Sequence, residues 1–534
     1  MRLNSPIPAL SCDQTRSLFD LFVSSRSAHG NRPALWVEGR TLTYAELHHT
    51  AGQIAGAIRA AHGGGRPFRC GLCVNRTPTA YAGLLASFMV GSAYVPLNPQ
   101  MPCDRLRDII CASDIDTIIV DYRSTATAMQ LLKGLPWPLT VLLPDTATSD
   151  EWPLGHRYIA QVDIESAAPV APERIVDDGA YLLFTSGSTG APKGVLISHA
   201  NALAYLKSVT ERYCPSPEDR FSQLFDFSFD LSVHDLFLAW GAGACLYCAP
   251  EGLAGISDFV RKCGLTFWLS VPATAAFMRQ MRMLKPGSFP TLRWSLFCGE
   301  ALPMALARAW YDAAPNSIVE NLYGPTEATV AFTTYRLPKE PCVELPTVPI
   351  GMPLPGQNVM LIDDDGNPTQ DGEVGELCLG GSQVAGGYWH APELTAQRFL
   401  ADAAGMRWYR TGDLAVMSKD HGLIFRGRID RQVKIRGYRV ELLEVENAMR
   451  IAAETDTVGA IPWPIDDGGL ARNVVGFVAG SQKSTGEIIA RCRDALPSYM
   501  VPSCIHRIND WPLNANGKTD YQSLTAALQN AEAL

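Results

Sequence analysis

Along the first third of the chain the apolar positions switch repeatedly between a helical and an extended period. Thr43-Tyr44-Ala45-Glu46 has the form of a capping box, and Leu47, Ile54, Ala55 and Ile58 follow at helical spacing, which predicts a helix running to about Ala61. A short apolar run predicts a strand at 69–75, followed by a helical run at 81–90, a strand at 93–97, a helix at 105–111 and a β-rich segment at 117–120. Strands and helices alternating in this way predict a parallel sheet with crossover helices, so this part is α/β. From 343 to 376 the texture changes to short strands separated by Pro and Gly turns, among them Asp365-Gly366 and Asp371-Gly372, and a β-rich subdomain is expected. A boundary is expected near residue 430. Residues 1–429 then form the larger unit and 430–534 a smaller one, with VVGFVAG (474–480) as a strand and a short last helix.

Composition narrows the function classes. A chain of 534 residues is too long for one compact core, and 47% hydrophobic with 19% charged residues describes foldable protein rather than a disordered or fibrous chain. With 45 Lys+Arg against 54 Asp+Glu the net charge is −9, and no basic block stands out, so nucleic acid is not expected as a partner and small-molecule chemistry is favoured. Pro6, Pro8 and Asp13 interrupt the N-terminal apolar positions, and no export signal is read. The charge-free stretch 77–103 is long enough to span a bilayer, but Gly83, Gly91, Pro96, Asn98 and Pro99 make it helix, turn and buried strand, so no membrane association is expected. Of fourteen cysteines, Cys70/Cys73 and Cys245/Cys248 form CxxC pairs. Both pairs lie in short apolar runs that resemble buried strands, so they read as core residues rather than zinc ligands, with reduced thiols and a cytoplasmic location following.

The segment YLLFTSGSTGAPKGV (181–195) carries the strongest chemical signal. An apolar strand runs into a loop dense in Gly, Ser and Thr, whose N–H and hydroxyl groups suit phosphate oxygens. It is not a Walker A loop, because Gly194 follows Lys193 where a Ser or Thr would hold Mg²⁺, and no GxGxxG for a dinucleotide is present. Taken alone, such a loop is more often only a flexible connection.

It is accompanied, in order, by LTYAEL (42–47), GSAYVPLNP (91–99), FSFDLSVHDLF (227–237), NLYGPTEATV (321–330), GELCLGG (375–381), YRTGDL (409–414), GRIDRQVKIRGYRVEL (427–442), LPSYMVP (496–502) and PLNANGK (512–518). With these motifs nearly the whole chain resembles the adenylate-forming superfamily of acyl-CoA synthetases, luciferases and nonribosomal peptide synthetase adenylation domains. Asn98 departs from the pattern, standing where such domains more often carry Asp. The resemblance implies an α/β fold: a large N-terminal domain of two doubly wound α/β subdomains plus a β-rich subdomain, and a small mobile C-terminal α+β domain. It implies ATP and Mg²⁺ as cosubstrate and cofactor. Thr185, Ser186, Gly187, Ser188, Thr189, Gly190 and Lys193 would face the phosphates, with Thr189 among the catalytic groups. Tyr323 offers a flat face to adenine, Asn321 an amide for the purine edge, and the Gly299-Glu300 turn a close backbone, with Gly324, Thr326 and Phe425 beside them. Glu327 suits Mg²⁺ bridging nucleotide phosphates, Asp413 can accept both ribose hydroxyls, and Arg428 supplies a permanent cation. By resemblance, Lys518 bridges substrate carboxylate and α-phosphate, Asp430 is the hinge about which the small domain swings between two half-reactions, and Lys434 and Gly437 belong to the loop that meets a thiol arm in the second.

The substrate class rests on Asp230, at the position that in amino-acid-activating members holds the substrate ammonium. The remaining pocket positions are Leu231, His234, Leu269, Leu296, Cys298, Leu322, Val330 and Ala331, a small and aliphatic lining that implies a proline-like or small aliphatic amino acid. His234 reads equally as a polar contact or as a wall residue. No carrier or condensation motif is found, so a separate carrier protein bearing phosphopantetheine is expected as acceptor. The rivals are an acyl- or aryl-CoA ligase of the same superfamily and a catalytically silent nucleotide-binding protein, the latter disfavoured by the intact Lys518, Glu327 and Asp413.

Overall fold

The computed structural model describes residues 16–65, 67–148, 151–170, 179–185, 192–339, 345–465, 470–513 and 519–532. The capping box at Thr43 forms as read. Its hydroxyl accepts from Glu46 N–H, the Glu46 carboxylate accepts from Thr43 N–H, and the helix runs Tyr44–Ala61. The expected strand at 69–75 is shorter, Arg69–Cys73, because Asn75 N–H turns to the Asp121 carboxylate at 2.8 Å and so leaves the ladder. The next helix starts earlier than its apolar run, at Pro78, where a ring with fixed φ and no N–H suits a first turn.

These strands belong to a seven-stranded sheet in the order Arg157–Ile159, Thr140–Leu142, Thr117–Val120, Arg69–Cys73, Ala93–Pro96, Gly179–Thr185, Lys193–Ser198. All neighbours are parallel except the last pair. A nine-stranded sheet follows the order Met352–Pro353, Thr333–Arg336, Ile318–Tyr323, Trp294–Phe297, Phe267–Ser270, Arg220–Gln223, Cys245–Cys248, Pro33–Val37, Arg40–Thr43. It is parallel from Ile318–Tyr323 through Pro33–Val37. One buried apolar cluster takes residues from both sheets and from the helices Leu18–His29, Tyr44–Ala61, Pro78–Met89 and Leu231–Gly241. Edge-on ring contacts tie these helices together: Phe22 and Tyr81 meet Trp240 at 5.3 and 6.4 Å. Such pairs add about 0.5–1.5 kcal/mol each beyond the area they bury.

The segment read as β-rich contributes to an antiparallel sheet of Gln357–Ile362, Val374–Gly381, Phe399–Ala401, Arg407–Ser418 and Gly422–Arg428. Past Arg428 the chain enters another sheet, built from Gln432–Ile435, Tyr438–Glu441, Val458–Ile465, Ala471–Val478 and Cys504–Arg507, with helices Leu442–Ala453 and Thr485–Ala495 on it. This unit is called the lid below.

Both CxxC pairs sit on buried strands as free thiols, and burial pushes the Cys70 and Cys245 thiols up to about 12. Among the described residues no cluster of three or more metal-ligating side chains occurs, and no helix is long and apolar enough to cross a membrane.

Candidate active site

The C-terminal ends of the parallel strands Phe267–Ser270, Trp294–Phe297 and Ile318–Tyr323 open into a crevice roofed by the lid, the position at which open α/β sheets bind ligands. Two adjoining cavities lie there. One, of about 310 Å³, is lined by Gly299, Glu300, Leu322, Tyr323, Val348, Asp413, Phe425 and Arg428 among others. The other, of about 130 Å³, is lined by Thr185, Asp230, Leu231, Cys298, Gly324, Thr326 and Val330 from below and by Lys434, Gly437, Tyr438 and Arg439 from the lid. Tyr323, Asp413 and Arg428 line both, so the cavities communicate.

In the larger cavity Tyr323 OH donates to Asp413 Oδ2 at 2.5 Å, and Arg428 ion-pairs with the other Asp413 oxygen. Arg428 also donates to Asp430 Oδ1 and Oδ2, at 2.7 and 2.9 Å. Asp430 thus lies at the bend between the last antiparallel strand and the lid, tied to a residue on the core side. Asn321 is buried on its strand. Its Nδ2 donates to the carbonyls of Val348 and Pro349 at 3.2 and 2.9 Å, which leaves Oδ1 buried with no partner among the described residues, an acceptor suited to an exocyclic amine.

Glu327 lies in the short 3₁₀ turn Thr326–Ala328 and is fully buried. Tyr388 OH donates to its Oε1 at 2.9 Å, and Arg439 Nη1 reaches both oxygens at 3.0 Å. Burial alone would raise this carboxyl, but the Arg439 charge and the hydrogen bonds outweigh it and hold the group below its ordinary range. Lys193 stands nearby with its ammonium 6.0 Å from the Tyr388 ring, and burial lowers its pKa. Thr185 Oγ1, at the end of the strand that feeds the Gly/Ser/Thr loop, is buried without a partner among the described residues. Ser186, Gly187, Ser188, Thr189, Gly190 and Lys518 lie outside the described residues.

Asp230 occupies the N-cap position of helix Leu231–Gly241. It is 9% exposed, and although Thr326 and the Val330 N–H bond the carboxylate, Oδ2 has no partner among the described residues. Burial pushes its pKa up to about 6. The buried hydroxyls of Tyr94 and Tyr181, raised by burial and then by the Asp230 charge, likewise have no partner among the described residues. Leu269, Leu296, Ala331 and His234 are buried and do not line the smaller cavity, while Leu322 lines the larger one. His234 Nδ1 pairs with Tyr205 OH at 2.6 Å, and burial depresses its pKa to about 3, so the imidazole is neutral.

The lid touches the crevice through a tight loop. Gly437, at φ +87°, places its N–H 2.6 Å from Glu300 Oε1, whose other oxygen accepts from Ala273 N–H at 2.9 Å. Tyr438 stacks on Tyr499 at 3.8 Å and meets the edge of Phe229 at 4.7 Å. Arg439, Tyr438, Tyr388 and Tyr205 are not among the residues singled out from the sequence. Arg439 and Tyr438 stand within the KIRGYR motif and were open to discovery there, since alternation along Tyr438–Glu441 separates their faces. Tyr388 carried no such signal.

Residues 22–389 match the family described as AMP-binding enzyme. The chain belongs to the AMP-binding enzyme family. These are adenylate-forming ligases, and the fold agrees: the Vibrio cholerae adenylation domain AlmE, in complex with glycyl-adenosine-5'-phosphate, superposes with a TM-score of 0.87 at 31% identity, covering 99% of each chain. An L-proline–[L-prolyl-carrier protein] ligase of Streptomyces coelicolor is 32% identical over 533 residues, 96% of each chain. Tyrocidine synthase 2 of Brevibacillus parabrevis is 32% identical over 520 residues, 96% of this chain and 14% of that protein. Against the multidomain synthetases the AMP-binding chain thus spans a small part of the relative.

The Asp230 pKa has a measurable consequence. A carboxyl raised to about 6 is charged at pH 8 and protonates as pH falls through 6, so the KM for a cationic substrate group should rise below about pH 6 while kcat is spared. Its effect on stability has the opposite sign to that of a salt-bridged carboxylate. Between 3.8 and about 6 the folded chain keeps a proton the unfolded chain has lost, so the contribution declines as pH rises through that window. The rate of ATP–pyrophosphate exchange at saturating ATP, measured against pH, checks the first; a flat KM rejects Asp230 as the group involved.

Proposed function

We propose that this ligase activates an α-amino acid, small aliphatic or proline-like, as its aminoacyl-AMP and then passes the acyl group to the phosphopantetheine thiol of a separate carrier protein. The carrying observation is the buried Asp230 with Oδ2 unpartnered in the smaller cavity. A buried carboxylate without a cation is costly, and a substrate ammonium removes that cost, whereas a fatty or aryl acid does not. The names of the proline ligase and of the glycyl-adenylate complex point to the same small substrates.

In the first half-reaction a substrate carboxylate oxygen attacks the α-phosphorus of ATP, the bond to the β-phosphate oxygen breaks, and pyrophosphate leaves. The larger cavity supports the nucleotide reading: Tyr323 and Phe425 supply flat apolar walls and Asp413 suits the ribose hydroxyls, while Asn321, buried on the strand that carries Tyr323, keeps an Oδ1 without a partner among the described residues, an acceptor suited to the adenine amine. Glu327 fits a cation, since its buried charge is compensated here by Arg439, and it would hold Mg²⁺ with the phosphates once the lid turns away. The ion, when bound, neutralises triphosphate charge. Lys518 is assigned to the developing charge at carboxylate and α-phosphate. Lys518→Ala is expected to slow pyrophosphate exchange by about 10²–10³ while ATP still binds, and unchanged exchange would reject the role.

In the second half-reaction the thiol sulfur attacks the acyl carbonyl, the bond from that carbon to the phosphate oxygen breaks, AMP leaves, and the thiol proton passes to solvent. The pose seen here suits that step. A cavity of about 230 Å³, lined by Arg76, Phe225, Phe229, Val271, Arg436 and Tyr438 among others, shares Phe229 and Tyr438 with the substrate cavity and gives a thiol arm a route inward. A pyrophosphate-exchange screen over the amino acids, followed by loading of a holo-carrier against free CoA, tests the reading. Exchange with no amino acid sinks it, and preference for CoA turns it into a CoA ligase.

A further inference from the structure

One contact that docks the lid involves residues that line none of the cavities of the crevice. Arg105, on the core helix Cys103–Ala112, ion-pairs through Nη1 with Glu444 Oε1 in the first turn of the lid helix Leu442–Ala453. The two side chains are only 9% and 4% exposed. The charges of both residues act on Tyr499, whose ring stacks on Tyr438.

A buried ion pair between two bodies has a particular energetic character. The desolvation cost of the charges nearly offsets their attraction, so the closed and open states differ little, and both charges regain water when the bodies part. An apolar seam of the same area would resist opening. The attraction is also specific to one orientation, because it vanishes once Glu444 no longer faces Arg105. Removing one partner, in contrast, leaves the other charge buried alone and disfavours only this orientation.

We propose that Arg105 and Glu444 form a reversible latch that holds the lid in this pose, and that they are positioning residues for thiol transfer and not for adenylation. The inference rests on the two-step reading above. The test uses Arg105→Glu, Glu444→Arg and the double exchange, with the full chain, its preferred amino acid and pantetheine as the thiol. Each single variant is expected to exchange pyrophosphate within about twofold of the parent and to transfer to pantetheine about 50-fold more slowly, and the double exchange to recover most of the transfer. A second readout needs no turnover. Nitroxides on the exposed Cys214 in the core and Cys504 in the lid, with the other accessible cysteines replaced by serine, report the spacing of the two bodies. The distance population of the present pose should shrink in each single variant and return in the double exchange. Singles that transfer like the parent, singles that lose exchange and transfer together, or a double exchange without recovery would each overturn the latch. A parent that exchanges with no amino acid would sink the two-step reading instead, and the nitroxide distances would still decide the latch.

Discussion

Gly437→Leu is expected to leave pyrophosphate exchange within a few-fold of the parent and to slow thiol transfer by about 10³ or more. Gly437 has φ +87°, and a Cβ built on it falls 2.5 Å from Val271 Cγ1 and 3.2 Å from Val271 Cβ. Val271 cannot step aside easily, because it is buried at the entry to helix Pro272–Gln280, where the backbone is already committed. The glycine N–H donates to Glu300, so a shift of the loop also breaks that hydrogen bond. Positive φ itself costs a non-glycine residue about 1–2 kcal/mol in any pose, and that part acts on both half-reactions alike. The clash with Val271 exists only while the lid is docked as seen here. The difference between the two rates therefore isolates the pose. Equal loss of exchange and transfer would mean that this docking also serves adenylation, and undiminished transfer would mean that it serves neither.

How much of this was legible in the sequence depends on distance along the chain. The capping box at Thr43 and the strand Thr117–Val120 are local, and both stand at the residues their patterns mark. The ends of Arg69–Cys73 were not, because a carboxylate at Asp121, far along the chain, draws Asn75 off the ladder. Nothing local says that Pro33–Val37 pairs in parallel with Cys245–Cys248, which fixes one edge of the nine-stranded sheet. The site divides the same way. Asp230, Glu327, Asp413 and Gly437 could be singled out from motifs, and the structure brings all of them to one crevice with Tyr323 and Arg428. That Arg439 neutralises Glu327, with Tyr388 bonding the same oxygen, needed the fold, since the partners are 112 and 61 residues away. That Tyr205, from another helix, bonds the His234 Nδ1 likewise needed the fold.

Asp230→Asn decides between an amino-acid enzyme and an acyl ligase. The amide keeps the shape and retains an oxygen for the hydrogen bonds from Thr326 and the Val330 N–H, but removes the charge from a site where Oδ2 has no other partner. A charge-assisted hydrogen bond is stronger than a neutral one, and an ammonium desolvated without its counterion is penalised by several kcal/mol, so kcat/KM for the preferred amino acid is expected to fall by about 10³. The same change relieves the free enzyme. Burial already pushes this carboxyl up to about 6, so the parent holds an uncomfortable charge at neutral pH, and the amide should raise Tm slightly. A des-amino analogue, a small cycloalkane or branched alkane carboxylic acid, brings no ammonium to be stranded. Its weak activation should therefore be unchanged or improved in the variant, and the two substrates should move in opposite directions. Exchange measured for parent and variant with both substrates settles it: a parent that prefers the des-amino acid, or a variant that loses both equally, would assign Asp230 to the pocket's architecture and give the acyl-ligase reading its place.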